Sequence, residues 1–70
     1  MNDQDFEWLK QHESLLYVST RVDAYQTGMV YDIYNRLTGE QKKPNGCGAC
    51  LRNTIRQIRY HYELKKLKQG

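Results

Sequence analysis

The stretch KPNGCGACLRNTIRQIRYHY, residues 43–62, decides the fold. Pro44 disfavours helix at Lys43, Asn45 suits an N-cap, and after Gly48 neither glycine nor proline recurs until the last residue. Within that run Leu51, Ile55, Ile58 and Tyr62 are spaced by four, three and four residues, one apolar stripe of a helix expected from about Cys47 to Lys68. Arg52, Arg56 and Arg59 copy the spacing one position later, so they lie about 100° around the same helix, flanking its core seam.

Working back from there, GEQKKPNG, residues 39–46, is a long polar loop that follows a Thr38-Gly39 helix stop. Before the stop, Val22, Tyr25, Met29, Ile33 and Leu37 recur at i+3 or i+4, with Val30 and Tyr34 on the flank: a second core-facing helix, expected to pack against Leu51, Ile55, Ile58 and Tyr62. Gly28 either interrupts that helix or caps the one before it. Asn2 with Asp5 three residues on marks an N-cap and first turn, and Phe6, Leu9, Leu15 and Leu16 give a first helix its apolar positions. The run SLLYVST, residues 14–20, has β-branched and aromatic content that competes with helix; continuation of the first helix is the favoured reading, a break in it or a short strand the alternatives. The fold expected is an all-α, single-domain three-helix bundle over residues 1–70, with the long loop before a basic C-terminal helix.

At 70 residues a chain buries only about 60% of its unfolded surface and gains from a partner. Its hydrophobic content of 39% and charged content of 27% are those of a folding chain. The acidic start MNDQDFEWLK is unlike a signal peptide, and no apolar run is long enough to span a bilayer, so a soluble, intracellular protein with no membrane partner is expected. The net charge of +3 conceals a division: residues 1–40 carry three basic against seven acidic side chains, a net of −4, and residues 41–70 carry eight against one, a net of +7. Such bipolarity fits a nucleic-acid surface, or two faces that meet unlike neighbours in an assembly.

The cysteines of CGAC, Cys47 and Cys50, admit four readings. A closed structural zinc site needs four ligands and the pair supplies two; His61, eleven residues beyond Cys50 on one helix, stands roughly 16 Å away, and His12 still leaves the site a ligand short unless a carboxylate, a water or a second subunit completes it, an interface being the favoured setting. A thiolate at a helix N-terminus suits redox chemistry, but no βαβ framework precedes it. The plainest reading makes the pair small apolar groups packed under the loop, and the fourth makes the same turn an intermolecular contact. No tightly bound metal and no cofactor are expected, with Cys47 and Cys50 the ligands if there is one.

Arg52, Arg56 and Arg59, with Asn53, Gln57 and Tyr60 on the next stripe, resemble a recognition helix, but the loop before them is far longer than a helix-turn-helix turn. Six tyrosines and one tryptophan are many for so small a core, and Trp8, Tyr31 and Tyr60 fall off the apolar stripes; Tyr, Trp and Arg are enriched at binding hot spots. Candidate partner or nucleic-acid residues are therefore Arg52, Arg56, Arg59, Tyr60, Trp8 and Tyr31. Ser14 and Ser19 have no elbow glycines, the histidines have no positioned partner and no phosphate loop is present, so an enzyme is not expected.

The segment YDIYNRLTGEQKKPNGCGACLRNTI, Tyr31–Ile55, resembles a pattern in small proteins of tailed bacteriophages and prophages, in which a helix, a Pro-Asn-Gly loop and C-G-x-C-x-R-N follow in order. The resemblance implies a phage-encoded protein of the host-cell cytoplasm or virion. The function expected is then a non-enzymatic virion component or assembly factor that packs against other protein subunits. A small basic DNA-binding regulator is the alternative, and a zinc-bridged CxxC adaptor the third.

Overall fold

The computed structural model describes residues 1–18, 22–44 and 48–69, and all regular structure among them is helical: α1 (Asp3–Gln11), α2 (Glu13–Tyr17), α3 (Ala24–Thr38) and α4 (Gly48–Gln69). The all-α bundle expected from the sequence is what forms. The first helical segment, however, is two helices. Helix α1 starts where expected, with the Asp5 N–H donating to Asn2 Oδ1 at 2.7 Å. It stops at His12, whose ring Nδ1–H donates to the Trp8 carbonyl at 2.8 Å, the acceptor that its own backbone N–H would use in a continuing helix. That backbone N–H turns to Leu9 O instead, at 3.0 Å, and the imidazole stacks on Trp8 with centroids 4.1 Å apart. Helix α2 then runs through SLLY, and Val18 is extended. Ser19 and Thr20, the end of that run, lie outside the described residues, as do Asn45 and Cys47 before α4.

Helix α3 opens on a capping box: the Gln26 N–H donates to Asp23 Oδ1 at 2.7 Å while the Asp23 N–H donates to Gln26 Oε1 at 3.3 Å. This start leaves Gly28 inside the helix rather than at a boundary. The helix ends on Gly39, whose φ of 75° is a left-handed cap that a residue with a Cβ adopts at a cost. Asn35 then clamps the following loop, its side-chain amide donating to Lys42 O at 2.8 Å and its Oδ1 accepting from Lys42 N–H at 3.0 Å.

The core is built from Phe6, Leu9, Leu16, Val30, Ile33, Tyr34, Ile58 and Tyr62. On α4 the expected stripe holds, with Ile58 and Tyr62 fully buried and Leu51 and Ile55 packed at the edge. On α3 the phase differs. Of Val22, Tyr25, Met29, Ile33 and Leu37 only Ile33 is fully buried, Tyr25 is 68% exposed, and the flank residues Val30 and Tyr34 face inward in its place. Both sets satisfy the same i+3/i+4 spacing, so periodicity determines the period of the stripe and not its phase. Tyr31, expected at a binding surface, is only 3% exposed. The burial of α3 is wider than one stripe and takes in the next position after Val30.

Ion pairs join the acidic start to Arg36 and to the basic end. Asp5 is buried and accepts a two-pronged hydrogen bond from Arg36, Nε at 2.9 Å and Nη2 at 2.7 Å. Lys65 reaches Asp3 at 3.0 Å and Lys66 reaches Glu13 at 3.6 Å. The Tyr62 hydroxyl donates to Glu13 at 2.8 Å; burial first, and this bond second, push the phenol up to about 12.

An arginine-rimmed groove between α2 and α4

The side of α4 that carries the arginines borders a groove of about 750 Å³. Its apolar floor comes from Leu15, Leu16 and Val18 on the α2 side, Leu51 and Ile55 on the α4 side, and Val22. Arg52, Arg56 and Arg59 stand along the α4 wall, since a spacing of four and three residues keeps them in one row beside the buried seam. Three of the six sequence candidates are thus brought together.

The three arginines are not equivalent. Arg59 is half-buried; its guanidinium donates to the Leu16 carbonyl at 3.4 Å and lies 6.0 Å from the centroid of the Tyr17 ring, so it ties the end of α2 to α4. Tyr17 in turn donates to Glu63 at 3.1 Å, and partial burial followed by that carboxylate holds its phenol above the ordinary range. Arg52 and Arg56 are exposed, and among the described residues no carboxylate lies within ion-pair distance of either. They leave a cationic rim over an apolar floor.

The other candidates lie elsewhere. Tyr60 is exposed on the far side of α4, edge-on to His61 at 5.5 Å between centroids. Trp8 is half-buried against the core, and with Tyr25 and Met29 it lines a separate depression of about 490 Å³ between α1 and α3. Tyr31 is interior. The groove residues missed from sequence are Tyr17 and Val18, which are exposed, whereas Leu15 and Leu16 are buried as their reading as apolar helix positions expects. The signal for the exposed pair was the run LLYV itself: four consecutive apolar residues exceed what one buried helix face takes, so part of the run had to line a surface.

Cys50 is exposed in the first turn of α4, which corrects the reading that placed it packed beneath the loop; Cys47 lies outside the described residues. Among the described residues no cluster of three or more His, Cys, Asp or Glu side chains is placed to hold a metal ion. His61 is exposed on α4, while His12 is occupied by Trp8. No helix among the described residues is long and apolar enough to cross a membrane. Compared with family models, curated proteins and solved structures, the chain matches none.

Proposed function

We propose that this is a non-enzymatic interaction protein that packs into a larger protein assembly through the groove between α2 and α4, taking there the apolar face of an acidic amphipathic helix. The observation that carries the reading is the pairing of a floor of leucine, isoleucine and valine with two exposed arginines that face no carboxylate of their own among the described residues. An apolar floor needs an apolar occupant, and a cationic rim selects one flanked by carboxylates. Phosphate binding would use the arginines but leave the floor unfilled, which favours a protein partner over DNA. The resemblance of Tyr31–Ile55 to tailed-phage proteins supports a virion component or assembly factor as the setting.

The reading is tested by titrating the protein with an acidic amphipathic helical peptide and, separately, with duplex DNA across a salt series. Peptide affinity should persist in part at high salt because floor contacts are not screened, and DNA should bind weakly and without sequence preference. Tight DNA binding that falls linearly in log salt, with no peptide binding, would make the protein a DNA-binding regulator instead.

A further inference from the structure

Of the large apolar side chains exposed among the described residues, Tyr17 and Val18 belong to the groove, and three others lie together on a different face of α4: Tyr60, Leu64 and Leu67, which are 62%, 41% and 78% exposed. They continue a row that begins at Asn53 and Gln57. The spacings along that row are four, three, four and three residues, a heptad seam. All five positions are exposed, and the seam points away from the buried Ile58 and Tyr62. The arginine row lies between the two, so the seam and the groove use different sides of one helix.

We infer that α4 pairs with α4 of a second copy of this chain, parallel and in register, along the seam Asn53, Gln57, Tyr60, Leu64 and Leu67. Two features select this occupant. First, the seam is polar in its N-terminal half and apolar in its C-terminal half. A parallel, in-register pair sets apolar against apolar, and amide against amide, whereas full antiparallel overlap sets the leucines against Asn53 and Gln57. Facing amides hydrogen-bond across the axis and hold the register. Second, the flanking charges complement one another in that arrangement. Glu63, one of whose carboxylate oxygens accepts from Tyr17, precedes a core position and Lys68 follows one, five residues later, which are the two places that meet across a parallel two-stranded coiled coil. The twofold axis makes the Glu63–Lys68 pair twice. Apolar seam positions number only three per chain, so the contact belongs to the small, transient class, with a Kd between about 1 μM and 1 mM. The dimer would leave both grooves open, and a partner with two acidic helices would then gain from bivalence.

The test is sedimentation equilibrium of the full chain under reducing conditions, up to about 1 mM. The wild type should dimerise, and Leu64→Glu/Leu67→Glu should stay monomeric with an unchanged helical circular-dichroism signal, since both side chains are outside the core. Lys68→Glu should weaken the dimer about fivefold, and Glu63→Lys/Lys68→Glu should restore it. A wild type that is monomeric throughout, or a dimer indifferent to Leu64→Glu/Leu67→Glu, overturns the inference. A charge swap that fails to restore a dimer weakened by Lys68→Glu overturns the parallel arrangement.

Discussion

In the C-terminal half of α4, Lys65 reaches Asp3 and Lys66 reaches Glu13, each lying also over an aromatic ring, Phe6 at 5.6 Å and Tyr62 at 5.7 Å. In the N-terminal half of the same helix, Arg52 and Arg56 face no carboxylate among the described residues and stand beside an apolar groove. The sequence shows one basic segment; the fold divides it. The lysines pair with Asp3 and Glu13 and so tie α1 and α2 to α4, while on the proposed reading Arg52 and Arg56 are left for a partner. Arg59 stands at the boundary, part of the groove wall and part of the internal tie.

The largest expected difference between the two halves is in stability. Tyr62 is fully buried, contacts Phe6 with ring centroids 5.1 Å apart and bonds Glu13, so Tyr62→Ala should cost about 3–5 kcal/mol, enough to unfold a chain of this size. Leu51 is only half-buried at the other end, and Leu51→Ala should cost about 1 kcal/mol while weakening groove binding. Chemical denaturation of the two variants compares them; equal costs would mean that α4 is anchored evenly along its length.

Alkaline pH probes the same anchor without mutation. The Tyr62 phenol is raised from 10.0 to about 12 by burial first and by Glu13 second. Because its folded value lies above the unfolded one, its contribution is fully present below pH 10 and is lost as pH rises from 10 toward 12. Difference absorbance between wild type and Tyr62→Phe should place the Tyr62 phenolate between pH 10 and 12, with unfolding in a window that Tyr62→Phe flattens. A Tyr62 that titrates at the ordinary value of 10.0 would remove the anchor.

At the boundary, Arg59→Ala should cost about 1 kcal/mol, from a long hydrogen bond and a distant ring contact, and should lower groove affinity as well. A smaller gain is expected at a neutral position: Gly28 sits inside α3 with open space where an alanine methyl would stand, nothing lying within 4 Å of it, so Gly28→Ala should raise stability by up to about 1 kcal/mol with binding unchanged. Thermal melts read both.

How far the sequence carried this picture depends on whether a signal was local. The Asn2 cap, the Thr38-Gly39 stop and the Leu51, Ile55, Ile58 and Tyr62 stripe of α4 are local and were legible. The phase of α3 was not, because Val30 and Tyr34 fit the helical period as well as Tyr25 and Met29, and only the packing of α4 chooses between them. The break at His12 depends on a ring bonding to the Trp8 carbonyl, which no pattern of apolar residues encodes. The basic segment was visible, but its division was not: the carboxylates that pair with Lys65 and Lys66 and the carbonyl that accepts from Arg59 lie 43 or more residues away in sequence. Tyr31 shows the same limit, since falling off a stripe means exposure only if the helix buries one stripe.

The most direct measurement compares two double variants for both melting temperature and affinity for an acidic amphipathic peptide. Lys65→Ala/Lys66→Ala should lose about 1–2 kcal/mol of stability and keep its affinity, because these side chains bind within the chain. Arg52→Ala/Arg56→Ala should keep its stability within about 0.5 kcal/mol, alanine being the best helix former, and lose at least about tenfold in affinity. The opposite pattern, with the arginine variant unstable and its affinity intact, would contradict the division of α4 into an internal tie and an open rim.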